Sequence, residues 1–162
     1  MIDASAFSKI AVVIDRDDQD ESSIVDSFCT SLCPIITSAA NDAWVTNQYQ
    51  NSYQQESYVD FLLIVIPADQ EGALETLLLE AISERDYDRL IVERSIEYVD
   101  NIQPIAAEYI NKKRLKLKSY IGVTWAIQSP EKIFSFIDEQ IRSVKWENSQ
   151  VLARCFEKLM EI

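Results

Sequence analysis

Lys9-Ile10-Ala11-Val12-Val13-Ile14-Asp15-Arg16-Asp17-Asp18 is the stretch whose reading decides the fold. An unbroken, largely β-branched apolar run ends abruptly in a cluster of carboxylates. That pattern predicts a strand buried on both faces, with the acids leaving its carboxyl end. In open α/β sheets that edge is where ligands bind. Asp15 and Asp17 stand two apart, so in extended chain their side chains share a face. Two carboxylates held together repel each other, and a hard divalent cation relieves the repulsion while gaining oxygen ligands. The plainer reading of the same residues is a solvated acidic turn after a strand.

A second run of the same kind lies downstream. Val59 and then Phe61-Leu62-Leu63-Ile64-Val65-Ile66 predict a strand over residues 58–66. Between the two, Ser22 or Ser23 is placed to cap a helix carrying Ile24, Val25, Phe28, Cys29 and Leu32 at helical spacing, closed by Pro34. Two apolar strands joined through a helix fit a parallel βαβ unit. Residues 35–56 are polar and rich in Asn and Gln, and they predict one or two short strands forming an edge hairpin.

After the second strand, Pro67-Ala68-Asp69-Gln70-Glu71-Gly72 reads as a turn, followed by a helix with Leu74, Leu77, Leu78 and Ala81 on its buried stripe. If the two strands run parallel, Asp69, Glu71 and Glu75 face the same sheet edge as Asp15 and Asp17. From Asp86 onward the pattern is helical. Leu90, Ile91, Ile96 and Val99 mark one helix, Pro104 restarts another, and Ile121, Trp125 and Ala126 mark a third. Ser129-Pro130 opens an expected helix over residues 131–144, and a final helix over 149–160 presents Val151, Leu152, Cys155, Phe156, Leu159 and Met160 on one face.

Composition bounds the chemistry. The 162 residues are 48% apolar and 26% charged, ordinary for one globular domain, and no repeat, linker or low-complexity tail divides residues 1–162. No apolar run is long enough to span a bilayer, and residues 1–8 do not read as a signal peptide, so a cytoplasmic protein with no membrane partner is expected. Cys29, Cys33 and Cys155 form no zinc-like pattern, and Cys29 and Cys33 read as buried thiols on a helix. A net charge of −12 opposes broad attraction to nucleic acid. The chain contains 0 histidines, which removes Ser-His and Cys-His nucleophiles and histidine-ligated zinc together. Catalysis must then rest on carboxylates, lysines, tyrosines and metal ions.

One local exception to the acidic balance is Lys112-Lys113-Arg114-Leu115-Lys116-Leu117-Lys118. It reads either as a solvated face or as a patch that contacts the phosphates of a nucleic acid. Trp44, Trp125 and Trp146 read as packing residues. An acidic edge with local lysines is the composition of a magnesium-dependent phosphoryl-transfer site.

The order of these blocks resembles an uncharacterised bacterial domain family related to the TOPRIM fold of topoisomerases, primases and overcoming-lysogenisation-defect nucleases. The blocks are Ile10 to Asp17, Ile66-Pro67-Ala68-Asp69, Gly72-Ala73-Leu74-Glu75, Lys118-Ser119, Thr124-Trp125-Ala126 and the Phe156-Glu157-Lys158-Leu159 end. The resemblance covers most of the chain. It implies an α/β, Rossmann-like, mostly parallel sheet of about four strands flanked by helices, with a helical C-terminal half. It implies Mg²⁺ (or Mn²⁺) held by Asp15 and Asp17, with Asp69 and Glu75 in the metal shell. Asp15, Asp17, Glu75 and Lys118 then form the catalytic set for phosphodiester hydrolysis of nucleic acid. TOPRIM enzymes also carry a glutamate after an earlier strand and helix, whereas here only residues 1–8 precede the Asp-x-Asp strand. Activity is therefore expected if that glutamate is supplied elsewhere. The alternative is an inactive interaction domain whose open sheet edge invites a protein partner, such as an ATPase, or a second copy of itself.

Overall fold

The computed structural model describes residues 7–132, 139, 141–142 and 146–161. It is α/β, with a mixed three-stranded sheet in the N-terminal part and a mainly helical C-terminal half. The chain divides into two compact units, Met1–Glu71 with Cys155–Ile162, and Gly72–Arg154.

In the first unit β1 (Lys9–Asp15), α1 (Glu21–Leu32), β2 (Trp44–Gln50) and β3 (Glu56–Ile66) follow one another. The sheet order is β1-β3-β2, with β1 parallel to β3 and β2 antiparallel to it. The expected parallel βαβ unit is thus present. Among the described residues, however, the sheet has three strands where about four were expected, and one of its two pairings is antiparallel. The physical reason lies in residues 35–56. The chain does not cross the sheet there; it returns beside β3 through a hairpin whose turn Asn51 builds, its Oδ1 accepting from the amides of Tyr53 and Gln55 at 2.9 and 3.0 Å.

One sheet face carries the core. Ile10, Val12 and Ile14 of β1 and Val59, Phe61, Leu63 and Val65 of β3 pack with Ile24, Val25, Phe28 and Leu32 of α1. The Phe28 and Phe61 rings lie 6.3 Å apart, tilted by 35°. From Phe61 to Ile66 every residue of β3 is buried, as the central position requires. β1 differs from expectation: it is an edge strand that buries one face only, so Lys9, Ala11 and Val13 stay exposed. Trp44 packs in this unit too, its indole N–H donating to the Lys158 carbonyl at 3.1 Å, with Lys9 Nζ 5.2 Å from its ring.

α1 begins earlier than expected. Its N-cap is Asp20, not Ser22 or Ser23, because a carboxylate takes three donors at once: Ser22 Oγ at 2.6 Å, Ser23 N at 2.9 Å and Ser23 Oγ at 2.7 Å. These bonds, the Ser22 hydroxyl foremost, hold the Asp20 carboxyl well below the usual carboxylate range. Cys33, expected to be buried, is exposed at the C-cap, and Cys29 is half-buried.

The second unit contains α2 (Leu74–Ile82), α3 (Asp86–Ile102), α4 (Lys113–Gln128) and all but the last residue of α5 (Gln150–Cys155). Leu78, Leu79, Ile82, Val92, Ile121 and Trp125 form its core. On α2 the buried residues are Leu77, Leu78, Leu79, Ala81 and Ile82, while Leu74 is exposed in the first turn. On α3 the buried positions are Val92, Ser95 and Val99; Leu90 faces solvent. Pro104 starts no helix: residues 103–112 run through turns and bends. Beyond the short turn Pro130–Lys132, the expected helix over 131–144 falls largely outside the described residues. The final helix breaks after Cys155 into a 3₁₀ segment, Glu157–Glu161, so its face does not run through and Met160 is exposed. No helix among the described residues is long and apolar enough to cross a membrane.

Candidate functional site at the carboxyl edge of the sheet

The parallel register carries β1 and β3 to a common end, with Asp15 opposite Ile66. The pairing goes one step further, for the Arg16 amide donates to the Ile66 carbonyl at 2.7 Å. The loop holding Asp15, Asp17 and Asp18 and the loop holding Asp69 therefore leave the sheet side by side. Asp15 and Asp17 are half-buried; Asp18, Asp69 and Glu71 are exposed.

Asp17 has φ 52, in the left-handed region that Asp tolerates better than most residues. The extended alternation that would set Asp15 and Asp17 on one face therefore ends at Arg16, and their approach is decided by a turn.

A cation lies among these acids. The Arg16 side chain is only 15% exposed, and its Nη2 donates to the Ala68 carbonyl at 2.6 Å and to Glu21 Oε2 at 3.3 Å. Its Nε is buried without a partner. Glu21 also accepts from Asn41 Nδ2 at 3.1 Å, and Asn41 Oδ1 accepts from the Val65 amide at 2.9 Å. The network ties the β1 loop, the start of α1, the segment before β2, the end of β3 and the loop beyond it. Arg16, Glu21 and Asn41 were not singled out by pattern. The only signal was an arginine set inside a run of acids, and an asparagine in a polar stretch has no periodicity to give it away.

The remaining expected site residues belong to the second unit. Glu75 is half-buried in the first turn of α2, just beyond Gly72, whose φ of 154 favours a residue without Cβ. Lys118 is exposed on α4. The neighbouring Lys116 is engaged on its own helix pair. Its Nζ lies 2.8 Å from Asp100 Oδ1, which also accepts from the Tyr120 hydroxyl at 2.6 Å. The Lys116 bond lowers the Asp100 pKa, the Asp100 bond raises that of Lys116, and burial first, then Asp100, raises that of Tyr120.

The second unit also holds an open cleft of about 750 Å³ walled by Arg85, Asp88, Gln128, Lys132 and Trp146. Its polar groups are turned on each other: Gln128 Nε2 donates to Asp88 Oδ1 at 2.9 Å, and Arg85 lies 3.6 Å from Asp88 Oδ2.

As for what the edge can hold, its donors are carboxylate oxygens, which suit a hard cation. Among the described residues no group of three or more His, Cys, Asp or Glu gathers as a ready-made metal cage. That donor set fits magnesium, which is commonly bound through one or two carboxylates, with water and substrate phosphate supplying the rest. No curated protein and no solved structure matches the chain. Residues 1–161 match the family described as Protein of unknown function (DUF3226), and the chain belongs to that family.

Proposed function

We propose that the chain is a TOPRIM-like divalent-metal-binding domain acting on the phosphodiesters of nucleic acid. The observation that carries this reading is the parallel β1/β3 register, which brings the Asp15–Asp17 loop and the Asp69 loop to one sheet edge. Asp15 and Asp17 hold Mg²⁺ or Mn²⁺, with Asp69 as a supporting carboxylate. Lys118 contacts phosphate, since Lys116 is already spent on Asp100. The bound ion supplies charge neutralisation at the phosphate oxygens. Arg16 sets the spacing of the two loops and offsets the repulsion among their acids.

Calorimetric titration of Mn²⁺ and Mg²⁺ into the chain, beside the Asp15→Asn/Asp17→Asn double variant, tests the proposal. Saturable binding that disappears in the variant is expected, followed by metal-dependent cleavage that Asp17→Asn abolishes. Equal binding by parent and variant, or cleavage unchanged by Asp17→Asn, overturns the assigned site.

A second reading, a non-catalytic interaction domain, is favoured by the exposed outer side of β1. It predicts no cleavage with any divalent ion and partner binding that survives Asp15→Ala.

A further inference from the structure

We propose that Cys29 and Cys33, one turn apart at the carboxyl end of α1, form a two-thiolate site for a soft monovalent cation of the Cu⁺ class. Both are free thiols, Cys33 exposed and Cys29 half-buried. Cys29 lies inside α1 and Cys33 is its C-cap, with a φ of −60° that is still the helical value. The helical path therefore carries through to Cys33, and its Cβ leaves the backbone on the same face as that of Cys29. Burial in the core would have made the two sulfurs inert packing, but the structure presents the pair at the surface.

The spacing decides what such a pair can do. Residues four apart on a helix hold their Cβ atoms about 5–6 Å apart. A disulfide needs about 3.5–4.5 Å, so the pair does not close on itself while the last turn of α1 stays wound. An ion placed between the sulfurs adds two bonds of about 2.3 Å each, the length of a zinc–thiolate bond, and these span the gap. Thiolates select soft ions, Cu⁺ and Zn²⁺ among them. Zinc in a closed protein site takes four ligands. Among the described residues no third Cys, Asp or Glu gathers with the pair, and the chain has 0 histidines. Cu⁺, a closed-shell ion that is satisfied by two sulfurs, fits the donors present.

Binding exchanges protons for the ion. Each thiol gives its proton to solvent as its sulfur binds, so Cu⁺ and two thiols become a complex of charge −1 with two protons released, and no electron changes hands. The site stands apart from the acidic edge. α1 begins beside that edge, where Glu21 meets Arg16, and its 12 residues carry the chain about 18 Å to the C-cap. Donor chemistry separates the two sites as well, since carboxylate oxygens take Mg²⁺ and thiolates take Cu⁺.

Competition for Cu⁺ between the intact, fully reduced chain and the chromogenic chelator bicinchoninate, without oxygen, is the test. The parent is expected to withdraw one equivalent from the chelator, with X-ray absorption showing two sulfur neighbours around copper. Cys29→Ser and Cys33→Ser each weaken binding by about a hundredfold or more, the scale on which a second tethered contact adds to a first. Cys155→Ser binds as the parent does. Folding is checked by far-ultraviolet circular dichroism; if Cys29→Ser fails to fold, Cys33→Ser at the exposed C-cap decides alone. Sedimentation of the loaded chain is expected to show no copper-dependent association. A parent that takes no Cu⁺ from the chelator overturns the proposal. So does a Cys33→Ser variant that binds as tightly as the parent, or copper that joins Cys33 of two chains into a dimer. Mg²⁺ titration is expected to be the same in the parent and both serine variants, so failure here and failure of the acidic edge are told apart.

Discussion

Replacing Arg16 by Met tests whether the guanidinium is what holds the acidic edge together. Met keeps most of the stem's packing and removes the charge and all donors. The bond lost is charge-assisted, 2.6 Å from Nη2 to the Ala68 carbonyl, and worth about 1.5–3 kcal/mol. The pair with Glu21, at 3.3 Å and with that carboxylate 49% exposed, adds only about 0.5 kcal/mol after solvent screening. Against this, the variant no longer buries an Nε without a partner, which returns about 1 kcal/mol. The net loss expected is about 1–2.5 kcal/mol, which at tenfold per 1.4 kcal/mol corresponds to about a 5- to 60-fold change in a local opening equilibrium.

Because the chain contains two compact units, a local probe is preferable to a global melt. Amide hydrogen exchange at Arg16 and Val65 reads the β1–β3 end directly, since Arg16 N bonds Ile66 O and Val65 N bonds Asn41. Both amides are expected to exchange faster in Arg16→Met by the factor above, while amides of α3 and α4 keep their rates. Acceleration of less than about twofold at both sites, below about 0.4 kcal/mol, would refute the view that this guanidinium pins the two loops.

Two further outcomes are expected. Asn47 is 2% exposed; its Oδ1 accepts from Thr37 N and Ser38 N at 2.9 and 2.8 Å, and its Nδ2 donates to Ser38 O and Val45 O at 2.9 and 3.1 Å. Asn47→Leu strands those backbone groups and costs about 3–5 kcal/mol in urea unfolding of the first unit, and a loss under about 1 kcal/mol would contradict this accounting. The Asp100–Lys116–Tyr120 group makes stability of the second unit pH-dependent at both ends. Asp100 is lowered from 3.8, so its contribution is present above that value and fades as pH falls through the depressed pKa; Lys116 and Tyr120 are raised from 10.5 and 10.0, so theirs fades as pH rises through the raised values. Asp100 is 46% exposed, which holds its share below about 1 kcal/mol, and Asp100→Asn should flatten the acid limb of a stability–pH profile by that amount.

Local pattern carried the strands and the first helices well. The unbroken run Phe61 to Ile66 is buried throughout, as its composition requires. The placement of acids at the end of β1 and of Asp69 at the end of β3 followed from strand direction alone, and the observed register has that form. The same reasoning failed on Leu90 and Leu74, which satisfy helical spacing yet face solvent. A helix offers more apolar positions than its neighbours can cover, and the sequence does not say which stripe they choose. Pro104 failed for a related reason: it is compatible with a helix start, but of residues 103–112 Ile110 alone is buried, too little to define a helix face, and the chain stays in turns and bends.

By itself, then, the sequence determined the α/β class, the apolar strands, the absence of histidine chemistry and the acids at a strand end, because each of these is local in chain or composition. Only the tertiary structure decided that β1 is an edge and not a centre, that Arg16 reaches Ala68 and Glu21, that Asn47 serves the backbone of residues 37–38, and that Asp17 turns left-handed. Those outcomes depend on which segment comes to lie beside which. An apolar run such as Ile10 to Ile14 reads the same whether one of its sides is covered or both, and burial is settled by neighbours distant in sequence.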